Sequence, residues 1–117
     1  MMSTHAAIGL DFGTTNSAIA WVSDGCSPTL AHFDAGFGAA DTFRSVLYFD
    51  RGDDGQDPLC TTAGPFAIAR YLAAEEKNGR LIQSLKSFLA SRLFHATSIF
   101  GRMYRLEELI AIIFRNL

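Results

Sequence analysis

The residues best suited to chemistry lie close together near the N-terminus, where Asp11 is followed by Gly13, Thr14, Thr15 and Asn16. Glycine can take the positive φ that a tight turn needs. A chain that reverses direction exposes backbone amides, and a concave row of amides attracts an anion. The threonine and asparagine side chains add donors, and a carboxylate beside a phosphate requires a cation between them. The pattern predicts a site for phosphate and Mg²⁺, with Asp11 next to the metal.

Two short apolar segments must position these residues. Residues 6–10 and 18–22 have the composition of buried strands, so the polar residues form the turn of a β-hairpin. The turn matches neither the P-loop nor the glycine pattern of dinucleotide-binding folds. An ordinary hairpin with an exposed aspartate is the alternative, because short motifs of this kind also occur by chance.

The hairpin resembles a known phosphate-binding motif. Residues 9–17 read Gly-Leu-Asp-Phe-Gly-Thr-Thr-Asn-Ser, which is similar to the first phosphate motif of actin, sugar kinases and DnaK-type (heat-shock-protein-70) chaperone ATPases. The DnaK-type spelling is the most similar. The resemblance implies part of a ribonuclease-H-like fold, the N-terminal lobe of an actin-like ATPase. It implies that Asp11 is a catalytic and metal-binding residue, and that Gly13, Thr14, Thr15 and Asn16 contact the phosphates of ATP or ADP.

A second segment extends the resemblance. Residues 81–89 read Leu-Ile-Gln-Ser-Leu-Lys-Ser-Phe-Leu, similar to the family segment in which a lysine precedes a short apolar helix. The resemblance implies that Lys86 is catalytic and reaches the γ-phosphate, where an ammonium stabilises developing charge. A surface lysine with no such role is the alternative. Arg44 stands where the family usually has proline, and Ser87 where it usually has arginine.

The remaining strands predict an α/β chain of the mixed α+β type. A third strand at 29–33 completes an antiparallel three-stranded meander. A flexible connection at 34–41, rich in glycine and alanine, leads to a fourth strand at 42–49 with many strand-forming residues. A polar turn and a returning strand at 58–62 follow.

Helices are predicted in two places. Pro65 suits the first turn of a helix that ends at Asn78-Gly79. A strand or hairpin at 98–104 then leads to a helix from Leu106. Apolar residues occupy almost the whole circumference of this helix, so we expect the helix to be buried on several sides.

The resemblance also predicts how the 117 residues are organised. We expect a phosphate-hairpin meander at 1–36, an inserted strand–helix subdomain at 37–104 and the start of a connecting helix at 105–117. In the family the nucleotide lies between two lobes, and the second phosphate motif and the adenosine motif follow the matched region. We therefore expect the N-terminal portion of a longer ATPase, inactive by itself. Residues 101–109 most resemble YegD-type proteins, which are related to DnaK.

Composition excludes several classes of function. The net charge is −2 and the basic residues are scattered, which argues against nucleic acid as a partner. No signal-like segment and no apolar run of membrane length occur. The two cysteines are far apart, as expected for reduced thiols in the cytoplasm. Partners would be the nucleotide and, through the longer ATPase, unfolded protein clients.

Two other functions fit the sequence. The first is a ribonuclease-H-fold nuclease, which would use Asp11 and further carboxylates as metal ligands. The candidates for the further ligands are Asp50, Asp53 and Asp54, although these three residues lie in a predicted polar turn.

The second function is that of a non-catalytic interaction module. A truncated sheet would expose strand edges and apolar surface, so we expect the chain to self-associate.

Overall fold

The computed structural model describes residues 5–52, 58–74, 78–89, 91 and 96–117. In these residues the strands are β1 (Ala6–Phe12), β2 (Asn16–Ser23), β3 (Thr29–Leu30), β4 (Phe43–Arg44), β5 (Val46–Asp50), β6 (Cys60–Ala63), β7 (Arg80–Gln83), β8 (Ala96–Ile99) and β9 (Arg102–Arg105). The helices are α1 (Gly64–Ala73) and α2 (Leu106–Asn116), with a short 3₁₀ helix (Leu85–Phe88) between them. Antiparallel sheets and helices together confirm the predicted α+β class.

The first sheet contains the predicted meander. Its order is β1–β2–β3, and β4 pairs with the part of β2 that β3 leaves free. β3 is shorter than predicted, because pairing stops at Leu30 and Phe33 forms only an isolated bridge with Ala40. The connection predicted to be flexible is an organised turn, since the Asp34 carboxylate accepts hydrogen bonds from the amides of Gly36 and Gly38.

The predicted single strand at 42–49 is two strands in two sheets. β4 pairs with β2, whereas β5 is the central strand of a second sheet of order β6–β5–β7. The chain crosses between the sheets at Ser45. The Ser45 amide donates to the Thr15 carbonyl at 2.9 Å, and its hydroxyl lies 2.8 Å from that of Ser17. These bonds satisfy polar groups that the break in pairing would otherwise leave buried and unpaired.

β5 is buried on both faces, which explains its continuous apolar sequence. Alternate side chains point to opposite faces of a strand. Leu47 and Phe49 belong to the larger core cluster, which the apolar stripe of α2 covers, whereas Val46 and Tyr48 pack with Ala67 of α1. The two helices therefore cover opposite faces of the second sheet.

The helices begin where the sequence predicts, but α1 is shorter. Pro65 lies in its first turn, and the helix ends at Ala73 rather than at Asn78-Gly79. The prediction that the helix ends at Asn78-Gly79 was wrong, because Ala74 already has extended backbone angles, and Gly79 serves another purpose. A Cβ at Gly79 would lie 2.3 Å from the Tyr48 hydroxyl oxygen, so glycine lets the chain pass close to the tyrosine ring.

α2 is buried along one stripe, not on several sides. Leu106, Leu109, Ile110 and Ile113 are buried, while Phe114 is exposed and meets the Phe12 ring edge-on at 5.2 Å. Of the two alternatives for the segment before this helix, a strand or a hairpin, the structure shows the hairpin β8–β9. Among the described residues, no helix is long and apolar enough to span a membrane.

Candidate functional site

The turn between β1 and β2 presents unpaired donors at the surface. The Gly13 amide donates to the Asn16 carbonyl at 2.9 Å, which closes the turn. Within the described ranges, the amides of Thr14 and Thr15 donate no hydrogen bond, and the side chains of Thr14, Thr15 and Asn16 are exposed. Free backbone N–H groups beside hydroxyl and amide side chains are what an anion site requires.

Asp11 lies on the same hairpin, two residues before Gly13. In the register it faces Ala18, and the alternation of the strand puts Gly9 and Ala20 on the same face. These small neighbours leave the carboxylate exposed, and it makes no hydrogen bond or ion pair with any described residue. An accessible carboxylate is a ligand of the type that Mg²⁺ prefers.

A metal ion at Asp11 would need further ligands besides this carboxylate. In the part of the chain that the structure describes, no three histidine, cysteine, aspartate or glutamate side chains form a group that could hold a metal ion. Mg²⁺ commonly keeps several waters and binds one or two carboxylates together with substrate phosphates. Asp11 could supply one carboxylate ligand of such an ion, with the neighbouring turn donating to the phosphate.

Ser45 fixes the turn from outside the hairpin. Its backbone bond to Thr15 and its hydroxyl bond to Ser17 join the turn to the point where β4 gives way to β5. Both serines are 1% exposed. Sequence reasoning missed this contact. The only signal was the interruption of the apolar strand pattern by one small polar residue.

Gly13 is required for a reason other than the predicted one. It does not adopt a positive φ. Instead, a Cβ at this position would lie 2.3 Å from the Asn16 carbonyl oxygen, closer than real Cβ contacts allow. The glycine permits the close approach that its own amide makes to Asn16. The prediction of a positive φ at Gly13 was therefore wrong, while the need for glycine holds.

Lys86 lies within the 3₁₀ helix rather than before a helix. Its side chain is exposed, and no hydrogen bond or ion pair joins it to the hairpin or to any other described residue. The preceding Leu85 is buried in the larger core cluster, against which Phe12 at the end of β1 also packs. The structure therefore anchors both segments on one core but does not join Lys86 directly to Asp11.

Asp50 is not in a solvated turn. It ends β5, its side chain is 8% exposed, and Arg70 of α1 donates to both of its oxygens at 2.5 and 2.9 Å. These bonds and one from the Gly52 amide hold the pKa of Asp50 below its usual value, although burial opposes them. A carboxylate paired in this way is a poor free metal ligand. Asp53 and Asp54 lie outside the described residues.

Two comparisons with known sequences found no relative. No model of a known protein family matches the chain, and no curated protein sequence matches it. The interpretation of the hairpin therefore depends on its residues and their geometry.

Proposed function

We propose that the β1–β2 turn binds the phosphates of Mg-ATP or Mg-ADP, as part of a DnaK-type, actin-like ATPase. One observation carries this proposal. The unpaired amides of Thr14 and Thr15 lie at the surface beside an exposed carboxylate, Asp11, that has no partner among the described residues. A connecting turn also exposes amides, so the support comes from their position beside the carboxylate and the hydroxyl groups of the same turn.

Each residue has a defined part in the proposed site. The amides of Thr14 and Thr15, with the side chains of Thr14, Thr15 and Asn16, bind phosphate oxygens, and Gly13 keeps the turn closed. Asp11 holds Mg²⁺ directly or through water, and the ion would neutralise the charge of the phosphates. Lys86 supports hydrolysis when the complete ATPase brings it to the γ-phosphate.

The complete ATPase is the setting of this proposal. Its clients would be unfolded proteins, and its compartment the cytoplasm. A reducing compartment of this kind would keep the free thiols of Cys26 and Cys60 reduced. Hydrolysis requires groups that position the attacking water and the transferred phosphate together. We therefore expect phosphate binding by these 117 residues, and turnover only in the complete ATPase.

The test is calorimetric titration of the chain with Mg-ATP and with ATP in EDTA. We expect submillimolar binding that Mg²⁺ strengthens. Asp11→Asn should remove most of the strengthening by Mg²⁺. Thr14→Val with Thr15→Val should weaken binding roughly ten-fold, because two hydroxyl donors to a charged group are lost.

Thr29→Val is the matched control for the threonine variant, since Thr29 is also exposed but lies in β3, away from the turn. It should bind like the unmodified chain. Absence of heat at millimolar Mg-ATP would contradict the proposal. Equal binding by the turn variant and the control would also contradict it.

A second candidate is self-association without catalysis, favoured by the apolar face of the first sheet. Ile8 and Trp21 are directly opposite in the register, with Leu10 next on the same face, and all three are exposed. Apolar patches of this kind mark interaction surfaces. The nuclease alternative has no comparable support, because Arg70 already binds Asp50.

A further inference from the structure

A polar cavity separate from the hairpin lies between β9 and α2. Its volume is about 520 Å³, within the range of small-molecule sites. Arg102 and Tyr104 of β9 contribute to its lining, with Glu108 and Arg115 of α2 and Thr61 of β6. None of these residues belongs to the proposed phosphate turn.

Tyr104 is the most informative residue of the cavity. It is 5% exposed, and its ring packs against Phe49 with a centroid distance of 5.2 Å. Nevertheless, its hydroxyl makes no hydrogen bond with any residue in the described ranges. The hydroxyl is not one of the fully buried polar atoms that lack a partner in the described residues, so it is open to the cavity while the ring is buried. Here the cavity that Tyr104 lines is where a partner could bind.

Two guanidinium groups give the cavity its charge. Arg102 lies two residues before Tyr104, on the same face of β9, with its guanidinium carbon 4.8 Å from the Tyr104 ring centroid. Arg115 lies in the last turn of α2. Neither forms an ion pair with another residue of the described chain.

One carboxylate of the lining, that of Glu108, opposes the charge of these guanidinium groups. The Glu108 carboxylate accepts hydrogen bonds from the amide and Nε of Arg105, at 3.1 and 3.2 Å. These bonds lower the pKa of Glu108, so it remains ionised and paired with Arg105. The C-terminal end of α2 contributes only about half a negative charge, which is less than the two guanidinium groups supply. The lining therefore supplies two guanidinium groups against one carboxylate, which Arg102 also attracts and whose partner Arg105 is shared with Glu107.

We propose that this cavity binds a small anion with a carboxylate or phosphate group. The guanidinium groups of Arg102 and Arg115 bind the anionic oxygens, and the Tyr104 hydroxyl donates a hydrogen bond to one of them. Arginine is well suited to both groups, because its planar fork pairs with two oxygens at once. The inference is independent of nucleotide binding at the hairpin.

The experiment is an NMR titration of the chain, without Mg²⁺ and at low ionic strength, with inorganic phosphate and separately with malonate. The signals followed are the Nε–H groups of Arg102 and Arg115 and the ring of Tyr104. We expect saturable shifts at all three. Saturation by phosphate, by malonate or by both identifies the type of anion, and saturation by neither overturns the proposal.

Substitutions separate this site from unspecific attraction to positive charge. Tyr104→Phe should weaken binding about ten-fold through loss of one hydrogen bond to an anion. Its melting temperature should not fall, because the hydroxyl has no partner in the described structure. Arg102→Gln should weaken binding at least as much, whereas Arg44→Gln, an equal loss of charge in another sheet, should not. Equal affinity of Tyr104→Phe and the unmodified chain would overturn the proposal.

Discussion

Two glycines of the first hairpin have different surroundings, and alanine at each tests how the turn is built. A Cβ at Gly13 would lie 2.3 Å from the Asn16 carbonyl oxygen, whereas one at Gly9 would have no atom within 4 Å. We expect Gly13→Ala to lower the free energy of unfolding by roughly 1–3 kcal/mol, because the turn must open to admit the methyl group. Urea denaturation measures the effect.

Gly9→Ala is the control for this prediction. Glycine inside a strand is unfavourable, so alanine in open space should leave stability unchanged or raise it slightly. Two equally stable variants would show that the turn does not depend on the close approach of Gly13 and Asn16.

The ion pair of Asp50 and Arg70 predicts an acid-dependent stability. Arg70 lowers the pKa of folded Asp50, whereas an unfolded aspartate has a pKa of about 4. The stabilisation is therefore complete above about pH 4 and is lost as the pH falls through the folded-state pKa. Asp50→Asn should cost roughly 1–3 kcal/mol at neutral pH, and the variant should lose less stability on acidification.

Thermal melts between neutral pH and pH 3 measure this dependence. Asp41→Asn serves as the control, since Asp41 is exposed in a loop. It should follow the acid dependence of the unmodified chain. An Asp50→Asn variant with the same acid dependence as that control would contradict the assigned role of the ion pair.

At the scale of elements, Ser17 and Ser45 join the hairpin to the second sheet. Their hydroxyl oxygens are 2.8 Å apart and buried. Either single alanine substitution leaves one buried hydroxyl unpaired, which should cost about 1–2 kcal/mol. The double variant removes both partners, so its loss should be clearly smaller than the sum of the single losses.

Urea denaturation of the four chains of this cycle gives the coupling between the two hydroxyls. The Thr14 side chain is exposed near the same turn, so Thr14→Ala combined with Ser45→Ala is a comparison pair that should be additive. Additive losses for Ser17 and Ser45 would show that their contact does not stabilise the junction.

The sequence pattern predicts those strands and helices whose position depends only on neighbouring residues. The hairpin of β1 and β2, the start of α1 next to Pro65 and the start of α2 at Leu106 follow from apolar spacing and turn chemistry. The division at Ser45 could not be predicted in this way. It depends on which strand each half pairs with, and that is a property of the assembled sheets.

The candidate site was predictable to a similar extent. The hairpin motif identified Asp11 and the turn residues, and the structure brings them onto one hairpin. The sequence predicts a positive φ at Gly13, whereas the real need for glycine is the close approach of the Asn16 carbonyl, which only the three-dimensional structure shows. The cavity beside Tyr104 had no sequence signal, since β6, β9 and α2 supply its residues from distant parts of the chain.

At the scale of the whole molecule, the first sheet has an uncovered apolar face. Ile8 is 74% exposed, and Trp21 and Leu10 are nearly half exposed on the same face. β1 is also an edge strand, because among the described strands it pairs only with β2. An apolar face next to an open edge favours association between copies of a chain. We expect the protein to form dimers or larger assemblies as its concentration rises.

Sedimentation velocity over a range of concentrations measures this association. Ile8→Glu should shift the population toward monomer, because a charge on this face would be buried without a partner in the contact. Leu72→Glu is the matched control. Leu72 is 61% exposed on α1, outside the first sheet, and the substitution adds the same charge. This face does not mediate association if the unmodified chain stays monomeric at all concentrations. The same conclusion follows if the two variants have equal monomer fractions.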